Sequence, residues 1–219
     1  MRTHMDETEV VRVVDALRRI AGGVRPSVDP AWSRPVAVRV IDCVLSLNRN
    51  YDRLVVPRVT AFMRAHPGVQ SIDQLLALMS TYPSPASFME AALAYRHADR
   101  ARILVAVARF VGRLVEGVLV ERHPAALEAW AVAAKPGEFA DLNIKGFKLA
   151  GFQYLRMLFG AQTTKPDKHI IDFVSEAISR RVRDVEALGL LEKAATLAHL
   201  PIRDVDTSIW EARARGASA

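Results

Sequence analysis

The sequence predicts an all-α fold. Strand signals are scarce, with no run of alternating β-branched residues bounded by turn chemistry. Apolar residues instead recur at helical spacing along most of the chain. Gly, Pro and Ser interrupt that pattern often, which implies about ten short helices joined by short connectors.

Val10, Val13, Val14, Leu17 and Ile20 form the first stripe, in an amphipathic segment ended by Gly22 and Gly23. A second stripe, Val36, Val40, Val44, Leu45 and Leu47, follows Pro35. Leu54 to Met63 forms the third and stops before Pro67 and Gly68. Ser71 opens Ile72 to Met79, with Asp73 and Gln74 in its first turn, and Ser84 or Ser87 can cap a short helix through Ala94. Ala101 to Leu119 is long and apolar, interrupted by Gly112 and Gly117. Then come Ala125 to Ala134, Leu149 to Phe159, Asp167 to Arg183, Leu188 to Ala198, and a last segment from Pro201 to Trp210. Residues 214–219 read as a frayed tail.

Composition narrows the function classes. In 219 residues with 51% hydrophobic side chains, a sizeable core can be buried. No apolar run is long enough to span a bilayer, so no membrane partner is expected. The first residues carry acids and lack the apolar stretch of a signal peptide, so the cytoplasm is the expected compartment. The lone cysteine, Cys43, excludes an internal disulfide and a four-cysteine zinc or iron–sulfur site. Standing between Asp42 and Val44, Cys43 reads as a buried apolar residue. No metal or other cofactor is expected. The net charge of +6 favours an anionic partner, with nucleic acid first.

Asp141 to Gly160 reads as a helix end, a turn containing Gly146, and an amphipathic helix. Such a hairpin can present backbone N–H groups to a phosphate oxygen, with Lys145 and Lys148 adding attraction. An ordinary helical corner with solvated lysines fits the same residues. Lys165-Pro166-Asp167-Lys168-His169 follows. Pro166 sets the approach, and Asp167 stands where a helix N-cap belongs.

Taken in order, these segments resemble the helix-hairpin-helix DNA glycosylase superfamily, of the endonuclease III type. Ile144-Lys145-Gly146 occupies the family's Leu-Pro-Gly place, and Pro166-Asp167-Lys168-His169 its Val-Asp-Thr-His place. Residues 41–50 resemble the family's Leu-Leu-Ser-x-Gln-Thr helix end. Asn48 falls where the family often carries the glutamine that fills the gap left by an extruded base. Asp206-Thr207-Ser208-Ile209-Trp210 resembles a closing helix of some members. The resemblance covers roughly residues 35 to 212.

The resemblance implies two helical lobes. One is a six-helix domain over 36–159, its hairpin at about 139–159. The other combines 1–35 with 160–219. Bent double-stranded DNA and an extruded base would lie in the cleft between them. Asp167 would be the catalytic carboxylate. Gly146, Lys145, Lys148, Asn48, Arg49 and His169 would be DNA-contacting. The implied function is excision of a damaged or mispaired base by a monomeric, cluster-free enzyme. Without gaps, Lys148 aligns with the family's second glycine, and Ala150 with the lysine that bifunctional members use as nucleophile. With one gap Lys148 takes the nucleophile's place, and the protein becomes a glycosylase with a β-lyase step. The ungapped match is preferred and gives a monofunctional enzyme. A non-catalytic DNA-binding module and an all-α regulator unrelated to repair are the alternatives. The base is not specified. Trp32, Tyr51, Tyr154 and Trp210 are candidates to stack on one, or simply core residues.

Overall fold

The computed structural model describes residues 6–20, 22–27 and 30–216. Among these, the chain is all-helical, with eleven α-helices and no strand. They are α1 (Glu7–Arg18), α2 (Val36–Leu45), α3 (Val56–Ala65), α4 (Ile72–Ser80), α5 (Pro85–Leu93), α6 (Ala98–Leu114), α7 (His123–Ala133), α8 (Leu149–Leu158), α9 (Lys168–Ile178), α10 (Asp184–Leu197) and α11 (Ile202–Gly216). The chain divides into two compact units, Pro30–Ala161 and Met1–Asp29 with Gln162–Ala219.

The Pro30–Ala161 unit carries α2 to α8, one α-helix more than the six expected, with a π-helical turn, Tyr51–Val55, leading into α3. Its core is built from Val40, Ile41 and Val44 of α2, Phe62 of α3, Phe88 of α5, Leu104 and Val107 of α6, and Phe152 and Leu155 of α8. Ser71 and Gln74 close a reciprocal capping box on α4, and Ser84 caps α5.

The sequence pattern made α8 amphipathic, but residues 151–159 are all buried. Gln153 and Arg156 escape the pattern because they satisfy each other inside the core. Arg156 donates to Gln153 Oε1 at 2.7 Å and to the Ala131 carbonyl at 2.9 Å. The expected helix before the hairpin is also different. Pro136–Phe139 is a single 3-10 turn, after which Asn143 takes a left-handed conformation, with φ 48°.

The second unit packs α1, α9, α10 and α11 around Val13, Leu17, Val174, Leu190, Leu191 and Val205. Arg180, just past α9, donates to Glu9 of α1 at 2.7 Å and pairs with Glu186 of α10 at 2.5 Å. Residues 25–27 are pinned to α11, where Arg25 N–H donates to Ser208 and Ser27 N–H to Asp204. Helix α11 runs to Gly216, so residues 214–216 are helical where a frayed tail was expected, and residues 217–219 lie outside the described residues. No helix among the described residues is long and apolar enough to cross a membrane.

Candidate nucleic-acid interface and carboxylate site

The hairpin turn is set by Gly146. Its φ of +90° lies in the left-handed region, and a Cβ there would stand 3.0 Å from Ile103 Cδ1. Phe147 N–H closes the turn on the Ile144 carbonyl at 3.0 Å. Lys145, Gly146 and Lys148 are exposed, while Phe147 and Leu149 are buried and anchor the turn. Lys148 is the N-cap of α8, with extended backbone and no side-chain cap bond. It therefore stands outside the helix, beside the unfilled N–H groups of the first turn.

The end of α2 meets the hairpin. Leu47 Cδ2 packs at 2.7 Å from where a Gly151 Cβ would be, and the Phe147 ring lines the same spot. Only glycine fits there. Asn48 and Arg49 are exposed just beyond, and Asn48 has φ 51°. Asparagine tolerates this left-handed turn better than most residues, which is a backbone reason for its presence beside the functional one. Helix α6 completes this region. Arg100 donates to the Leu47 carbonyl, and Asp99 lies within electrostatic reach of Lys145. Asn48, Arg49, Lys145, Gly146 and Lys148 thus belong to one neighbourhood of one unit.

Asp167 and His169 belong to the other unit. Asp167 caps α9, its Oδ1 accepting from the N–H groups of His169 at 2.9 Å and Ile170 at 3.4 Å. Its Oδ2 lies 4.0 Å from Lys165 Nζ. Two backbone amides and the Lys165 ammonium thus face this carboxylate at the start of α9. His169 contributes its backbone N–H to this cap.

One acid that the sequence reading placed only in a closing helix belongs to this site. Asp206 of α11 reaches the linker before α9, where its Oδ1 accepts from the Thr164 hydroxyl and from the Lys165 N–H at 2.9 Å. Burial pushes its carboxyl up to about 6, the Thr164 bond opposes that, and the Asp167 charge adds to the rise. Part of the residue's surface still faces solvent, so a neighbouring group can exchange protons with it. Thr163 is tied down beside it by a 2.6 Å bond to Glu192 of α10. The result is two carboxylates around one linker, Asp167 facing the Lys165 ammonium and Asp206, its proton affinity raised, accepting from the Lys165 N–H. Such a pair can stabilise positive charge at one position and hold a proton at the other.

The aromatic candidates divide. The hydroxyls of Tyr51 and Tyr154 both donate to the buried Asp42, each at 2.8 Å, and Arg34 pairs with the same carboxylate. Tyr154 is buried, so the network accounts for both tyrosines as core residues. Cys43 is fully buried, its Sγ 3.4 Å from the Gly151 carbonyl. Among the described residues, no group of His, Cys, Asp and Glu is arranged to hold a metal ion.

Among the described residues, these features define an all-helical protein of two compact units, one with a basic hairpin region and the other with a paired carboxylate site. The chain belongs to the family described as a domain of unknown function, DUF8548, whose model matches residues 11–214. No curated protein and no solved structure matches it.

Proposed function

We propose that this protein is a DNA glycosylase that hydrolyses the bond between a damaged or mispaired base and its sugar. The observation that carries the reading is the Asp167 site: a carboxylate fixed by backbone amides at the start of α9, beside Lys165 and within electrostatic reach of Asp206. Breaking a C1′–N bond leaves positive charge on the sugar, and a fixed carboxylate stabilises that charge. Water then bonds through oxygen to C1′. The electron pair of the broken bond leaves with the base, which takes a proton from solvent. The attacking water's proton passes to Asp167.

The base must first leave the stack, at a cost of a few kcal/mol, and Asn48 is the residue assigned to fill the gap. Lys145, Gly146 and Lys148 hold the backbone through charge and amide contacts that read no sequence. Lys148 acts on phosphate rather than as a nucleophile, because it is exposed and lies outside the helix. A nucleophilic lysine needs its ammonium desolvated or crowded by other cations. The enzyme is read as a monofunctional, cytoplasmic monomer acting on double-stranded DNA, in a reaction that draws on no cofactor.

The test is incubation with a panel of single-lesion duplexes, with and without alkali. Alkali-dependent strand cleavage of at least one lesion duplex, and no cleavage without alkali, is the expected result. Intact strands under both conditions across uracil, mismatched thymine, oxidised purine and alkylated purine would refute it.

A further inference from the structure

Three arginines from three different segments meet at Tyr95. Arg49 donates through Nε to the Tyr95 hydroxyl at 2.9 Å, and through Nη1 to the Asn48 carbonyl at 2.9 Å. Arg58 of α3 lies over the Tyr95 ring, 5.4 Å from its centroid, and donates to the Leu54 and Ala94 carbonyls at 3.2 Å each. Arg100 of α6 is only 8% exposed and donates to the Leu47 carbonyl.

None of the bonds that the structure gives these three guanidiniums goes to a carboxylate. The Nε atoms of Arg58 and Arg100 are buried without a hydrogen-bond partner. The nearby acids are engaged elsewhere, Glu90 with Arg96 and Asp99 with Arg102, although Asp99 still reaches Arg100 electrostatically. Burial, and then the charge of Arg49, pull Arg100 below the usual arginine range.

Burying a cation beside a second cation costs free energy unless an anion balances it. A guanidinium fork matches phosphate in shape and charge. Arg49 is exposed and can reach a ligand directly, Arg58 is half-buried, and Arg100 adds charge from beneath. The cluster adjoins Asn48 and shares α6 with the contacts of the hairpin turn, since Ile103 packs at Gly146 and Asp99 faces Lys145.

We infer that Arg49, Arg58 and Arg100 around Tyr95 form a binding site for a phosphate group of a nucleic-acid backbone. The choice of nucleic acid as bearer of that phosphate rests on the function proposed above, whereas the arginine cluster stands without it.

The experiment titrates the full chain with an undamaged duplex, and separately with inorganic phosphate. It follows affinity at several salt concentrations and the Nε–H resonances of the arginines. Arg49→Gln and Arg58→Gln should each weaken duplex binding about tenfold and reduce the salt slope by about one. Arg12→Gln removes one exposed charge from the other unit and should change neither. Arg100→Gln should behave like the first two, and if it fails to fold, Arg49→Gln and Arg58→Gln decide. The duplex should shift the Arg49 and Arg58 signals in the wild type, with inorganic phosphate shifting the same signals only at far higher concentration. Unchanged affinity in both variants with unshifted signals overturns the site. Shifts with inorganic phosphate but undiminished duplex affinity in the variants overturn the nucleic-acid assignment. A wild type that binds duplex through these arginines yet releases no base retains this site and removes the glycosylase reading.

Discussion

The two units use charge in opposite ways. Around the hairpin, the hydrogen bonds that the structure gives Arg49, Arg58 and Arg100 go to carbonyl and hydroxyl oxygens rather than to carboxylates. Around α9 two carboxylates are brought together, and the proton affinity of one is raised, by burial first and then by the charge of the other. The first arrangement suits a ligand that arrives negative. The second suits a reaction in which positive charge develops. A protein selected for stability alone gains from neither, because each gathers like charges. The contrast makes each region testable in a way that leaves the other as control.

The largest effect is expected at Asp167. Asp167→Asn keeps an oxygen that can cap α9 and removes the charge. Base release should fall about a hundredfold or more, while duplex affinity, which the proposed function assigns to the other unit's cations, stays nearly unchanged. Undiminished single-turnover release by this variant removes the carboxylate's role.

Gly146→Val addresses the opposite region. The new side chain must adopt φ +90° and push against Ile103. The strain should cost on the order of 1–3 kcal/mol of stability and loosen the turn. Binding should weaken alike for all duplex sequences, because the contacts proposed for the turn are to the backbone only. A loss confined to one sequence context breaks the comparison, since it makes the hairpin a base reader.

Asp206→Asn sharpens the carboxylate side. The folded protein holds the Asp206 proton up to about pH 6, whereas its ordinary value is 3.8. Its ionisation therefore disfavours folding. That cost is absent below the ordinary value, grows as pH rises towards 6, and is complete above it. Asparagine keeps the acceptor for Thr164 and Lys165 and never ionises. The variant should thus be more stable than the wild type by about 1–3 kcal/mol at pH 8, with the gap nearly closed at pH 4. Melting temperatures at both pH values report it. A gap of equal size at both shows that ionisation of Asp206 is not coupled to folding, and one of opposite sign at pH 8 shows that it is stabilised as an anion.

These regions differed in how far the sequence disclosed them. Asp167 was legible as a cap because Pro166 precedes it and an apolar stripe follows, all within a few residues. Gly146 was legible because a turn between two apolar segments needs a left-handed residue. The all-helical class followed from periodicity alone. Asp206 was not legible as part of the site, because its environment comes from Thr164 and Lys165, about forty positions away. The arginine cluster was hidden for the same reason. Arg49, Arg58, Tyr95 and Arg100 meet only after α2, α3, α5 and α6 have packed; the resemblance pointed to Arg49 alone, and Arg58 and Arg100 each read as a solvated charge. The burial of α8 was misread because Gln153 and Arg156 imitate a polar face, and only the packed unit shows that they serve each other. Asn48 carries two signals at once. Asn48→Gly keeps the left-handed turn and removes the side chain, so it tests gap filling better than alanine does.

The smallest effect is expected at Lys148, the residue on which the two alignments disagree. Its position just before the first residue of α8 gives it solvent on the outside and the amides of α8 behind it. A hydrated ammonium there is drawn to a phosphate and gains little from any single partner. A nucleophile would have to be fixed against C1′, whereas the Lys148 side chain is exposed and makes no cap bond to α8. Lys148→Ala should therefore weaken duplex affinity only a few-fold and flatten the salt dependence by about one phosphate contact. The single-turnover rate at saturating protein should hold. Borohydride added during turnover should trap no covalent adduct in wild type or variant. An adduct formed by the wild type and lost in Lys148→Ala would reverse the assignment. The lysine would then attack C1′ itself, and the basic hairpin region would share in the chemistry reserved here for the carboxylates.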